Sequence, residues 1–466
     1  MARKVRAAVI GAGPGGYVAA IRLGQLGVET VLVEKDRLGG ECLNYGCIPS
    51  KALISIGNLV HKVRGAEEMG VHVKGLTVDG EKLQSWKRKV VDRLAKGIAG
   101  LCKAAGVEVL YGDATFLSPR RLEVSSAEGM TTLEAENFII ATGSEPIPLK
   151  GFDVDGERVI FPKQSLELTR IPESMTIIGG GITGLEIGTM YAKLGTRVVV
   201  VELLDQLLPG IPMDIVKVIE RSLRRLRVEY HVKSKALGLE KREDRVVLEV
   251  ETPQKRIRIE SELLMVSVGR RARTAGLGLD KAGVKLNSEG FIRVDKRMQT
   301  SAQGIYAIGD VIGVPYLAHK ASKEGIVAAE AIAGLPSEAD FRAMPAAIFT
   351  DPEIAMVGLS EEQAGEQGYD VAVGKFPFSA SGRALTTGKA DGFVKVVAER
   401  STREVLGVQI VGPEASDLIS EAALAIEMGA VADDIALTVH PHPTLPESFM
   451  EAAEDVLGKA IHIPKR

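Results

Sequence analysis

At 466 residues the chain is long enough for about three domains. Its 45% hydrophobic and 26% charged content is that of an ordinary globular protein, and a net charge of −3 without a long basic run gives nucleic acid no footing. Apolar stretches are short and broken by glycine, proline or charge, which excludes a membrane span, and three cysteines are too few for a stapled secreted fold.

Met1-Ala-Arg-Lys leads directly into a buried strand, Val5-Arg-Ala-Ala-Val-Ile10, so no signal or transit peptide is expected and a reducing cytoplasm is the expected location. The strand runs into Gly11-Ala-Gly13-Pro-Gly-Gly16, a helix to about Leu26 and a second strand, Thr30–Val33, that ends in Glu34. A lone GxGxxG is weak evidence. Strand, glycine loop, helix, strand and terminal acid together predict a dinucleotide site. The first glycine allows the turn, the second lets backbone amides reach a pyrophosphate, and the third lets helix and strand pack closely. The acid accepts ribose hydroxyls.

Next comes Cys42-Leu-Asn-Tyr-Gly-Cys47, which holds two of the three cysteines and precedes Pro49-Ser50-Lys51. A pair so close can form a small ring disulfide, useful as a redox relay and weak as a staple. A helix predicted from Pro49 onward puts Cys47 near a positive helix end that stabilises a thiolate. The bland alternatives are two buried cysteines or half of a metal site. No second cysteine pair or suitably spaced histidine follows, so zinc is not expected. Cys102 has no partner and reads as a bystander. Leu83–Cys102 reads as a basic amphipathic surface helix, and Phe138-Ile-Ile-Ala-Thr-Gly-Ser144 as a strand ending in a small-residue turn.

The motif then recurs: strand Ser174–Ile178, loop Gly179-Gly-Gly181-Ile-Thr-Gly184, helix to about Leu194, and strand Arg197–Val201 ending in Glu202. Two such units imply two dinucleotides. Phe291–Asp295 and Thr300–Asp310 read as a hairpin-like pair of short strands, with Asp310 free to meet a polar ligand. Beyond Met344, strand-like runs (Gly392–Ala398, Glu404–Val411) and a helix, Ala415–Met428, form an α+β pattern. Among seven histidines, His442 stands out for its proline neighbours and for Glu447, a carboxylate able to orient the imidazole.

These residues together resemble the flavoprotein disulfide reductases over essentially the whole chain. Within that family, the segments around Cys42–Lys51 and His440-Pro-His442-Pro-Thr-Leu-Pro-Glu447 resemble the dihydrolipoyl dehydrogenases. The resemblance implies an α/β fold with two Rossmann-like dinucleotide-binding domains and a C-terminal α+β dimerisation domain. The expected division is 1–148 for FAD and the redox disulfide, 149–272 for NAD, 273–343 completing the FAD site, and 344–466 for dimerisation.

It also implies roles. Gly11, Gly13, Gly16 and Glu34 would hold FAD, with Ala114, Thr142, Gly143, Ser144, Asp310 and Ala318 as further contacts. Lys51 would stand beside the flavin, paired with Glu186. Gly179, Gly181, Gly184, Glu202 and Gly269 would hold NAD, and Glu202 with no arginine in Leu203–Leu208 favours NAD over NADP. Cys42, expected to be the more exposed sulfur, would be attacked by substrate, Cys47 would face the flavin, and His442 with Glu447 would be the base across a homodimer interface. The implied substrate is a dihydrolipoyl group on a lipoylated acyltransferase or a glycine-cleavage carrier protein. Alternatives are a glutathione-reductase-like enzyme and a catalytically silent flavoprotein scaffold. Tyr45 and Pro446 depart from the family pattern, and local reshaping near the disulfide is expected.

Overall fold

The first elements follow in chain order: β1 (Arg3–Ile10), α1 (Pro14–Gln25), β2 (Thr30–Glu34), α2 (Gly40–Tyr45), α3 (Cys47–Gly65), α4 (Gly80–Ala104), β3 (Glu108–Tyr111), β4 (Asp113–Ser118), β5 (Arg121–Ser126) and β6 (Gly129–Ile140), in a computed structural model that describes residues 2–464. They build a sheet of order β3-β2-β1-β6-β5-β4. All five residues of β2 are buried, as expected of a parallel strand covered on both faces. The first turns of β6 pair antiparallel with β5, whereas Phe138–Ile140 at its other end pair in parallel with the late strand Ile305–Ala307. Phe138, Ile139 and Ile140 are fully buried there.

That late strand corrects one expectation. Val294 and Thr300, and Gln299 and Tyr306, meet only through isolated bridges, and Ile305–Ala307 belongs to the large sheet instead of a hairpin. An apolar triplet gains more from the sheet core than from an exposed two-stranded ribbon.

α1 is rich in glycine and alanine because another helix, Ala318–Ile332, crosses it closely. A Cβ on Gly325 would come within 2.6 Å of the Gly15 carbonyl oxygen, and one on Gly15 within 3.0 Å of that of Ala321. Ser322 Oγ donates to the Pro14 carbonyl at 3.3 Å. Residues up to Ile171 together with Val266–Asp340 form one compact unit, and Pro172–Met265 together with residues from Phe341 onward form another.

In the second unit the strands Ser174–Ile178 and Arg197–Val201 pair in parallel, with helix Ile182–Leu194 between them in sequence. A charged antiparallel meander, Lys235–Lys241, Val246–Glu251 and Arg256–Ser261, follows. The C-terminal part is an antiparallel sheet in the order Ala346–Ile348, Glu353–Gly358, Val405–Gly412, Phe393–Glu399, Val371–Pro377. Helices Ala415–Glu427 and Glu447–Val456 contribute Ile419, Ala422, Phe449 and Ala452 to its core. No helix among the described residues is long and apolar enough to cross a membrane.

Candidate active site

The two glycine loops are built alike. Gly11 (φ +96°) and Gly179 (φ +110°) make turns that a side chain would strain. A Cβ on Gly16 would overlap the Gly11 carbonyl oxygen, and one on Gly184 the Gly179 carbonyl oxygen, so only glycine permits these close packings. Gly13 and Gly181 are different: a Cβ there meets nothing within 4 Å, and each caps its helix without a side-chain bond. Both helices thus present bare N-terminal amides to open space, the donor set that suits a pyrophosphate.

The terminal acids match as well. Glu34 accepts from Ala12 N at 2.7 Å and from Asp36 N at 2.8 Å. Glu202 accepts from Gly180 N at 2.6 Å and from Leu204 N at 2.8 Å. Each carboxylate pins the middle of its glycine loop, and its remaining lone pairs suit ribose hydroxyls. The residues therefore fit two dinucleotides.

Around the first loop, Ser144 Oγ donates to Asp310 Oδ2 at 2.5 Å, and Thr142 Oγ1 donates to the Arg273 carbonyl at 2.8 Å. Gly309 N donates to Glu324 at 2.8 Å, and Lys320 pairs with that carboxylate at 2.9 Å, which fixes the turn bearing Asp310. Ala318 is the first residue of its helix, and Ala114 lies on β4. Gly143 follows Thr142 in the turn after β6, while Gly269 is exposed and its carbonyl accepts from Ile147 N at 3.0 Å.

Sequence reasoning missed Arg270. Its guanidinium donates to Ser144 Oγ at 2.8 Å and to the Ser144 carbonyl at 2.9 Å, and stands 3.7 Å from Glu41. It thereby ties the Ser144–Asp310 pair to the residue before Cys42. A lone arginine after a glycine carries no motif, so no sequence signal marked it.

Cys42 and Cys47 form a disulfide with a Cα–Cα distance of 4.7 Å. Gly46 breaks the helix between them, leaving Cys42 on α2 and Cys47 as the first residue of the 19-residue α3. Lys51 lies one turn further along α3 and shares a face with Cys47. The helix end distinguishes the two sulfurs. Cys102 is buried, and burial pushes its thiol up, away from reactivity.

In the second unit, His442 Nδ1 lies 2.8 Å from Glu447 Oε1, and Thr444 N donates to Oε2 at 2.6 Å. Burial raises the Glu447 carboxyl, but the Thr444 amide and His442 outweigh it and hold the group below the ordinary glutamate value. An ionised carboxylate only accepts, so Nδ1 carries the hydrogen and Nε2 has the free lone pair of a base. The His442 side chain is 80% exposed, whereas that of His440 is 4% exposed and bonded to Glu421 and the Thr438 carbonyl. His440 is thus a structural neighbour. Buried Glu186, on the second fingerprint helix, accepts from Phe349 N at 2.8 Å.

Two family models match. Pyridine nucleotide-disulphide oxidoreductase covers residues 5–325, and the dimerisation domain of the same family covers 344–453. The chain is 49% identical to the dihydrolipoyl dehydrogenase of Haloferax volcanii over 98% of its length and 97% of the relative's. It is 47% identical to that of Geobacillus stearothermophilus over 98% and 97%. Among solved structures, LpdA from Mycobacterium tuberculosis superposes with a TM-score of 0.90 at 29% identity, covering 97% of this chain and 99% of that one. The HOCl-induced flavoprotein disulfide reductase RclA from Escherichia coli gives 0.86 at 26% identity, covering 96% and 99%. With its twin glycine loops, its closed cysteine pair and these relatives, the chain belongs to the pyridine nucleotide-disulphide oxidoreductase family and, within it, to the dihydrolipoyl dehydrogenases.

Proposed function

We propose that this chain oxidises protein-bound dihydrolipoyl groups to lipoyl and reduces NAD to NADH, as the flavoprotein component shared by 2-oxoacid dehydrogenase or glycine cleavage complexes. The disulfide at the head of α3, in a chain that also builds two dinucleotide loops, carries this reading. FAD, when bound, supplies the two-electron carrier between dithiol and nicotinamide. Gly11, Gly13, Gly16, Glu34 and Asp310 are the residues that would hold it, with Thr142, Gly143, Ser144, Ala114, Ala318 and Lys51. Gly179, Gly181, Gly184, Glu202 and Gly269 would hold NAD.

His442 Nε2 takes the proton of the first substrate thiol. The thiolate then attacks Cys42, and Cys47 leaves as a thiolate. Cys47 is the better leaving group because the dipole of α3 stabilises its charge, and a low-pKa thiol leaves faster. The second thiol closes on the first, releasing Cys42 and the oxidised lipoyl ring. Glu447 fixes the imidazole and stabilises its protonated form. The base reaches Cys42 across a homodimer interface, a reading supported by the dimerisation-domain match. Residues 344–466 are the dimerising segment in this proposal, and a reducing cytoplasm is its setting.

The test is anaerobic turnover of flavin-loaded protein with dihydrolipoamide and NAD, followed by NADH absorbance. Fast NADH formation is expected, with little NADPH formed when NADP replaces NAD and no NADPH consumed by glutathione disulfide. Flavin reduction by NADH without any dihydrolipoamide turnover would assign another disulfide substrate.

Glu202→Ala is expected to raise KM for NAD at least tenfold. It removes a carboxylate that holds two backbone amides, and a hydrogen bond to a charged group contributes about 1.5–3 kcal/mol. NADP should not become a substrate, because Leu203–Leu208 contains no arginine. Steady-state kinetics with both nucleotides checks this; an unchanged KM for NAD would remove Glu202 from the site.

A further inference from the structure

Once its sulfur bridge opens, the segment Cys42–Cys47 has little intrinsic reason to keep its shape. α2 is a six-residue helix, too short to persist alone, and Gly46 interrupts the backbone before α3. Asn44 holds the entry to α2 through the carbonyls of Leu38 and Gly40, at 3.0 and 2.9 Å. Tyr45, inside the disulfide ring, is tied differently. Its hydroxyl donates to Asp36 Oδ2 at 2.6 Å, and the Lys163 ammonium sits 3.4 Å from its ring centroid. Asp36 follows β2, where its own amide is held by Glu34, and Lys163 stands on the short helix Pro162–Ser165. Both anchors therefore come from outside the loop that must open and close. Burial and the bond to Asp36 push the phenol up to about 12, so it remains a donor across the working pH range.

We propose that Tyr45 is a positioning residue for the redox pair: clamped between Asp36 and Lys163, it holds Cys42 and Cys47 in closing distance in the dithiol state and so sets the thiol–disulfide equilibrium of the enzyme. The inference rests on the redox reading of that pair. Two electrons and two protons from a dithiol reductant break the sulfur–sulfur bond and leave two thiols, while the reductant closes to its own disulfide. Tyr45 touches neither electrons nor protons. It keeps the effective concentration of one thiol near the other high, which favours the disulfide. Losing the clamp favours the dithiol.

Flavin-loaded wild type, Tyr45→Phe, Tyr45→Val and Lys163→Met would be equilibrated anaerobically in buffers of reduced and oxidised dithiothreitol. Thiols would be trapped by rapid alkylation and counted by mass on the peptide carrying Cys42 and Cys47. In Tyr45→Val the dithiol should be favoured about three- to tenfold at a given buffer ratio, a potential about 15–30 mV less negative. Tyr45→Phe, which loses only the bond to Asp36, and Lys163→Met, which loses only the cation, should each move part of the way. Tyr369→Phe, at an exposed tyrosine in the other compact unit, should match wild type. Should Tyr45→Val not fold, Tyr45→Phe still decides. Folded Tyr45 variants with the wild-type ratio would overturn the clamp while leaving the redox reading intact. A wild-type pair that does not exchange with dithiothreitol would overturn the redox reading, and the clamp with it.

Discussion

Replacing either Cys42 or Cys47 with serine is expected to abolish dihydrolipoamide-dependent NAD reduction while leaving the protein folded and able to bind flavin. The disulfide spans only a five-residue separation, and short loops remove little entropy from the unfolded chain, so its loss should change stability modestly. Its chemical loss is total, because a hydroxyl neither accepts thiolate attack nor leaves as a stable anion. The two variants should differ in what remains. Cys47→Ser removes the sulfur on the first residue of α3, where the helix dipole favours a thiolate. Cys42→Ser keeps that sulfur and should retain a low-pKa thiol that alkylates below neutral pH. Titrating alkylation rate against pH in each single variant checks the assignment. If the more acidic thiol belongs to Cys42, the roles must be exchanged.

His442→Gln is the second large effect. General bases contribute about 10²–10⁴-fold, and a loss of kcat of that size is expected in dihydrolipoamide oxidation. Reduction of the flavin by NADH, which requires no thiol deprotonation by His442, should be nearly unchanged. That contrast separates a lost base from a damaged fold, and rapid-mixing spectroscopy of each half-reaction measures it. Glu447→Gln should fall between, since the amide keeps a hydrogen-bond acceptor for Nδ1 but loses the charge that stabilises the imidazolium. The carboxyl of Glu447 lies below its ordinary value, so the pair contributes fully above the usual glutamate range and weakens only as pH falls through the lowered folded value. A thermal-stability profile against pH should therefore show wild type losing its advantage over Glu447→Gln only on that acid side. Equal profiles at every pH would mean that the dyad adds nothing to the fold.

Local elements were the legible part of this molecule. Ser174–Ile178 and Arg197–Val201 form as their apolar runs indicate, because a strand buried on both faces, a glycine turn and a helix are specified by neighbours in sequence. The glycines and acids of both loops divide into the same physical roles for the same reason. What stayed hidden depends on segments far apart. Nothing near Ile305 announces that it pairs with Phe138, and nothing near Arg270 announces Ser144 and Glu41. Tyr45 was visible as an unusual residue, yet its hold on Asp36 and Lys163 depends on where β2 ends and where a short helix lies.

The way β6 is completed bears on how this protein is made. On a ribosome adding ~5–20 residues each second, Phe138–Ile140 emerge on the order of ten to thirty seconds before Ile305–Ala307 do. Throughout that interval one of the most apolar edges of the first sheet has unpaired amides and carbonyls, a template for another nascent chain. Slowing synthesis between those segments should therefore increase aggregation of the first unit more than slowing it afterwards.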